Sequence, residues 1–295
     1  ISTVINAGAI VKHFGLKDEF ENINVTGTKN IIDLCIKAKK RLLHISTISI
    51  SGFGEKEEFS TNPAEEGSKI FTEQNLYIGQ NIKGIYTTTK YKAEISVLEA
   101  IRSGLDAQIL RIGNITNRYS DGKFQKNITD NAFARRIKSF VEIGAFPKYM
   151  LSHDVELTPV DICAEAVIKI LDYTSPCNVF HLYNPNLLPI NLFYDTILRR
   201  GISLTPVSNT IMTYIIKGIL SDDSKKSIIS GIVQDLDKNK EFTYISKIGL
   251  DASFTKQYLA ALGFNWNTFD SSYIDKCFNY FEQVGFIDKK LEENN

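Results

Sequence analysis

Two apolar runs that end in small and hydroxyl-bearing residues constrain the fold most. Arg41-Leu42-Leu43-His44-Ile45-Ser46-Thr47-Ile48-Ser49-Ile50-Ser51-Gly52 and Ala107-Gln108-Ile109-Leu110-Arg111-Ile112-Gly113-Asn114-Ile115 read as buried strands. Residues 86 to 103 between them read as one helix closed by Gly104. A further strand opens the chain, Ile1-Ser2-Thr3-Val4-Ile5-Asn6-Ala7-Gly8-Ala9, and a helical pattern runs from Phe14 to Lys40. Strand, helix, strand, helix, strand at this spacing needs crossover connections, which make neighbouring strands parallel and the class α/β. Gly27 interrupts the first helical pattern, and close packing against a neighbour is the expected reason for it.

The remainder is less regular. Residues 53 to 85 are polar and loop-like, with Asn62-Pro63. Residues 116 to 150 form an excursion with an Asp121-Gly122 turn and a basic helix around Ala134-Arg135-Arg136-Ile137-Lys138. Asp161 is the expected N-cap of a helix ending near Leu171, and Asn178 to Pro185 reads as a strand. From Ile190 the chain is helical and aromatic, and that aromatic stripe reads as core.

Composition excludes several classes. With 34 basic and 34 acidic residues, no global field attracts nucleic acid or an anionic membrane. Cys35, Cys163, Cys177 and Cys277 are scattered without a Cys-x-x-Cys, as expected of reduced thiols in a cytoplasmic protein. His13, His44, His153 and His181 do not cluster, so no metal site is expected. The most apolar run, Ile211 to Leu220, is too short to span a bilayer and carries Lys217.

Chemistry concentrates at Tyr86 and Lys90. Residues four apart share a helix face, so the phenol and the ammonium can address one ligand. A nearby cation favours phenolate, which suits proton donation to a carbonyl. The chain holds two Tyr-x-x-x-Lys spacings, but Tyr119 to Lys123 spans Ser120-Asp121-Gly122 and so breaks the shared face. The hydroxyls Ser46 and Thr47 lie at a strand exit, where open parallel sheets bind ligands. The other reading of these hydroxyls is that they satisfy their own backbone.

In order along the chain, Asn6-Ala7-Gly8-Ala9, Asn24-Val25-Thr26-Gly27-Thr28, Ser46-Thr47, Tyr86-x-x-x-Lys90 with Ala93-Glu94, Arg111-Ile112-Gly113-Asn114 and Thr158-Pro159-Val160-Asp161 resemble an extended short-chain dehydrogenase/reductase. Phe71-Thr72-Glu73-x-x-Leu76, Gly79-Gln80 and Gly113-Asn114-Ile115-Thr116-Asn117-Arg118 resemble the thioester reductase branch that terminates nonribosomal peptide synthetases, kin of carboxylic acid, aminoadipate and fatty acyl-CoA reductases. The resemblance implies a Rossmann-like parallel sheet, with a partial NAD(P)-binding domain at 1–189 and a mainly helical substrate subdomain at 190–295. No Gly-x-x-Gly-x-x-Gly occurs in the chain. The resemblance therefore implies that this turn and the first three strands precede Ile1, within a larger multidomain chain.

The implied reaction is NADPH-dependent reduction of a carrier-bound acyl or peptidyl thioester to an aldehyde or alcohol, with NAD not excluded. Tyr86 would donate the proton, Lys90 would hold the nicotinamide ribose and depress the Tyr86 pKa, Thr47 would bind the carbonyl oxygen, and Asn24 would hold a relay water. Asn6, Ala7, Gly8, Ala9 and Ser46 would contact the cofactor, as would Gly113, Asn114 and Ile115 near the nicotinamide. The partner implied is an acylated carrier domain with its phosphopantetheine arm, for which Arg135, Arg136 and Lys138 are a candidate dock. A sugar-nucleotide dehydrogenase or epimerase, a fatty acyl-CoA reductase, and a truncated non-catalytic docking piece are the competing readings.

Overall fold

The computed structural model describes residues 1–12, 15–52, 70–173, 175, 177–233, 236 and 248–288. The chain divides into two compact units: Ile1–Gly113, Cys163–Tyr183 and Ser246–Asn265 form the first, and Asn114–Ile162, Asn184–Ile245 and Trp266–Asn295 the second. Both units are discontinuous in sequence.

The first unit is built on a four-stranded parallel sheet, β1 (Thr3–Asn6), β2 (Arg41–Thr47), β3 (Ala107–Ile112) and β4 (Val179–Leu182), in the order β1-β2-β3-β4. β3 is buried at every position, as expected of a strand covered on both faces. The register aligns Asn6 with His44 and Ile109, and Ser46 with Arg111 and His181. Registered residues of adjacent strands face the same way, so these side chains share one face of the sheet.

That face carries α1 (Gly27–Ala38) and α2 (Ile85–Arg102). Ile32 and Cys35 of α1, Val97 and Ala100 of α2, and Leu42, Ala107 and Ile109 of the sheet form one core cluster. The buried stripe of α2 is apolar at Ala93, Val97 and Ala100 but polar at Lys90 and Glu94. The polar end lies nearer the helix N-terminus, beside the carboxyl ends of the strands. A continuous helical path precedes α1, with an α-helical turn at Lys17–Phe20 and a π-helical stretch at Glu21–Thr26. Packing does not explain Gly27: a Cβ there would make only ordinary contact, 3.7 Å from the Asn22 carbonyl.

The helix Ser253–Ala261 also belongs to this unit. It lays Phe254 and Tyr258 against Phe180 of β4, and Thr255 Oγ1 accepts from His181 N at 2.9 Å.

The second unit packs the helices Ala132–Ile143, Ile190–Arg199, Asn209–Leu220 and Ser271–Gln283 around Phe140, Phe146, Met212, Ile216, Phe278 and Phe281. Asn131, Ser208 and Asp270 cap three of them by accepting from Ala134 N, Ile211 N and Tyr273 N. The Tyr119–Lys123 stretch is a turn: Arg118 N donates to Lys123 O and Gly122 N to Arg118 O, both at 2.9 Å. Asp161 does not cap as expected. It lies in the first turn of the helix Val160–Asp172, and its carboxylate instead accepts from Tyr119 N, Ser120 N and Ser120 Oγ. Burial alone would raise its pKa, but these hydrogen bonds outweigh it and hold the carboxyl below the usual range. Among the described residues, no helix is long and apolar enough to cross a membrane. Asn62 and Pro63 of the predicted loop lie outside the described residues.

Candidate active site

β2 and α2 bring the central residues together. Thr47, the last residue of β2, is buried, and its side chain shares a hydrogen bond with the half-buried Tyr86 in the first turn of α2. Thr47 Oγ1 also accepts from Ser49 N at 3.2 Å, so the strand exit does cap its own backbone as well. One turn along α2, Lys90 is 3% exposed and donates from Nζ to the Ile45 carbonyl at 2.6 Å.

The electrostatics differ from the expectation set by spacing. Burial pushes the Tyr86 phenol up, with the Thr47 hydrogen bond opposing the rise, so the phenol is held protonated. Burial brings Lys90 down to about 8, with Glu94 one turn away opposing the fall. A protonated Tyr86 is the form that a proton donor requires.

Asn24 lies buried in the π-helical stretch and has a full set of partners. Its Oδ1 accepts from Ile10 N at 2.8 Å, while Nδ2 donates to Ile10 O at 3.1 Å and to Thr89 Oγ1 at 3.0 Å. This clamps the segment after β1 to α2, where Thr89 Oγ1 contacts Ile85 O and Tyr86 O, both at 2.9 Å. Ala7 and Gly8 are exposed on that segment and Ala9 is half-buried, while Asn6 Nδ2 bonds Thr28 Oγ1 and His44 Nδ1, both at 3.3 Å. Ser46 is buried beside these residues on β2. Gly113 ends the first unit, with its N–H donating to Leu182 O at 3.0 Å. Asn114 and Ile115 belong to the second unit, where Asn114 N donates to Glu156 Oε2 at 2.7 Å and Ile115 pairs with Thr158.

A buried ion pair lies one turn beyond Lys90. Arg111 of β3 holds Glu94 of α2 at 2.9 Å from Nη2, and both are almost fully buried. Arg111 Nη1 also contacts His181 Nε2 at 3.1 Å, and its guanidinium lies 4.9 Å from the centre of the Phe71 ring. Because His181 Nδ1 must donate to the Asp251 carbonyl at 2.7 Å, Nε2 is the acceptor and the ring is neutral. Burial and the Arg111 charge bring His181 down to about 3. Glu73 completes this layer by accepting from Thr255 N and Oγ1 at 3.0 and 2.9 Å. Gln80 donates to Ile50 O and Leu76 O and accepts from Ile78 N, knitting the loop before α2. The motif residues Glu73, Gln80, Glu94 and Arg111 thus act as scaffold. Polar residues inside otherwise apolar strands are the sequence signal for His44 and His181.

The basic helix offers less free charge than its sequence implies. Arg135 and Arg136 are half-buried, and Lys138 lies 5.0 Å from the Phe286 ring centre with Glu142 at 3.7 Å. Among the described residues, no group of three or more His, Cys, Asp or Glu side chains could hold a metal ion.

The NAD-binding family described as male sterility protein matches residues 1–167. The chain belongs to this family. Among its relatives, a linear gramicidin synthase from Brevibacillus parabrevis is 27% identical over 210 residues, 70% of this chain and 4% of that protein. The large subunit of L-2-aminoadipate reductase of Candida glabrata is 28% identical over 181 residues, 60% of this chain and 13% of that protein. A solved thiolation-reductase di-domain from an archaeal non-ribosomal peptide synthetase is 28% identical with a TM-score of 0.81, and the match covers 97% of this chain and 58% of that one. This male sterility family chain therefore spans a small part of these curated relatives, and its Rossmann-like parallel sheet with flanking helices matches a reductase-domain fold.

Proposed function

We propose that this chain carries the catalytic face of an NADPH-dependent thioester reductase, which releases a carrier-bound acyl or peptidyl group as an aldehyde or alcohol. The observation that carries this reading is the grouping of Thr47, a protonated Tyr86 and a buried Lys90 at the carboxyl end of β2. Tyr86 delivers a proton to the carbonyl oxygen, and Thr47 orients that oxygen by hydrogen bonding. Lys90, fixed by Ile45 O, presents a further N–H group to the cofactor ribose. Asn24 keeps the Asn6–Ala9 segment in place through Ile10.

The residues present suit a dinucleotide, with the Asn6–Ala9 segment on its adenine side in this reading. Ala7 and Gly8 are exposed on an anchored backbone, and a Cβ on Gly8 would meet only Asn6 Oδ1 at 3.8 Å, so a flat group can approach closely. Ser46 and Gly113 complete the proposed cofactor contacts within the first unit. When bound, the nicotinamide supplies the hydride to the acyl carbon. Loss of the carrier thiol from the resulting hemithioacetal leaves the aldehyde. The di-domain relative, in which a thiolation domain adjoins the reductase, supports an acylated carrier with a phosphopantetheine arm as the partner.

The test is NADPH oxidation measured together with free-thiol release from an acyl-pantetheine thioester, using the chain within its full-length protein. Both should rise together, with one NADPH oxidised per thiol for an aldehyde product and two for an alcohol, and Tyr86→Phe should cut turnover by about 10²- to 10⁴-fold with cofactor affinity nearly unchanged. Full turnover in Tyr86→Phe would remove Tyr86 from the proton step.

A further inference from the structure

Two buried polar atoms beside Lys90 have no protein partner among the described residues. His44 is 0% exposed and Ser46 4%, yet neither His44 Nε2 nor Ser46 Oγ has a hydrogen bond there. Buried polar groups are nearly always paired, with ordered water where the protein supplies nothing.

The hydrogen-bond chain fixes what His44 offers. Thr28 donates its hydroxyl proton to Asn24 O at 2.7 Å, so Thr28 Oγ1 can only accept from Asn6 Nδ2. The amide orientation of Asn6 follows, and its second N–H donates to His44 Nδ1. His44 is then neutral with its proton on Nε2, a donor with no acceptor among the described residues. Burial and the Lys90 charge both act against a protonated ring.

The unmatched atoms flank the Ile45 carbonyl along one strand. His44 and Ser46 lie on the same face of β2, about 6.6 Å apart along the strand. Between them Ile45 turns its carbonyl towards the β1 edge, the side on which Arg41 N meets Ser2 O. Lys90 Nζ takes that carbonyl. The next residue on this stripe of α2, Glu94, reaches Arg111, which is in register with Ser46. The ammonium has further hydrogens to give.

We infer that His44 Nε2, Ser46 Oγ and Lys90 Nζ together hold one buried water, and that His44 and Ser46 are positioning residues for the Lys90 ammonium. The water accepts from both N–H groups and donates to Ser46 Oγ. The inference rests on the assignment of Lys90 to the site, and is independent of which carbonyl compound is reduced.

The test needs no substrate. A crystal structure of the chain within its full-length protein should show a water within hydrogen-bond distance of His44 Nε2 and Ser46 Oγ. Titration of Lys90 by NMR of its ε-methylene should show the midpoint falling by about half a pH unit or more in Ser46→Ala and in His44→Phe, because the water that accepts from the charged form loses a group that holds it. If His44→Phe does not fold, Ser46→Ala decides. An unchanged Lys90 midpoint in Ser46→Ala, or no water between these atoms, overturns the inference. A failed thioester assay with the water present would instead count against the proposed reaction alone.

Discussion

Lys90 Nζ meets the Ile45 carbonyl at 2.6 Å at the point where β1 has run out. β1 pairs with β2 only as far as Asn6 opposite His44, so the next β2 carbonyl on that edge receives no strand N–H. A lysine one turn along α2 from Tyr86 takes the place of the absent strand donor. The ammonium is thereby fixed to the sheet.

Burial brings Lys90 to about 8, so its charge is lost as pH rises through that value. If the ammonium holds the cofactor, kcat/KM for reduction should decline above about pH 8. Lys90→Arg should move that limb to higher pH, because a guanidinium keeps its charge, although its shape will lower the plateau. A limb that stays in place in Lys90→Arg would assign it to another group.

The Glu94–Arg111 pair is almost fully buried, so removing one partner strands the other. Glu94→Gln should destabilise the fold by about 3–5 kcal/mol in urea unfolding. Replacing both residues by methionine should cost less than the sum of the two single replacements. Strict additivity in that cycle would mean the pair is not coupled.

How much of this was visible in the sequence depends on the range of the interaction. The strands, their parallel pairing and the Tyr86–Lys90 pair follow from apolar runs and helical spacing, which are local, whereas Thr47 joins the pair only through the family resemblance. The partners of Arg111 are not local: Glu94, Phe71 and His181 come from three separate segments, and no spacing rule joins them. The sign of the Tyr86 shift was also out of reach. A neighbouring cation is visible at i+4, but the shift is set by desolvation, opposed by the Thr47 hydrogen bond, and desolvation depends on tertiary burial. Asp161 has the composition of an N-cap, and only the fold of the Tyr119–Ser120 turn shows why it is used otherwise.

Both buried histidines make the fold sensitive to acid. His181, at about 3, and His44, well below 6.5, are depressed in the folded state. Between those values and about 6.5 the unfolded chain binds more protons, so stability is complete above that range and is lost as pH falls through it. His181 should contribute a loss of about 2 kcal/mol by pH 5 relative to pH 7, and His44 a loss of the same sign. The urea midpoint should therefore drop between these pH values, and His181→Gln should flatten the slope by about one proton. An unaltered slope would mean His181 titrates normally. Asp161 enters only at lower pH, where its carboxyl begins to protonate.

Gly122 separates backbone strain from steric contact. Its φ is +72°, and a Cβ there would lie 2.3 Å from the Lys276 carbonyl oxygen, a backbone atom that cannot swing aside. Gly104 has φ +99° with open space around it, so alanine there meets only the conformational penalty. That penalty is about 1–2 kcal/mol. Gly122→Ala should exceed Gly104→Ala by at least about 1 kcal/mol in urea unfolding, because it must also displace the helix Ser271–Gln283 from the turn. It should raise hydrogen exchange at Gly122 N and at Tyr280 N, the amide four residues beyond Lys276. Equal losses in the two variants would show that the turn and helix separate at little cost.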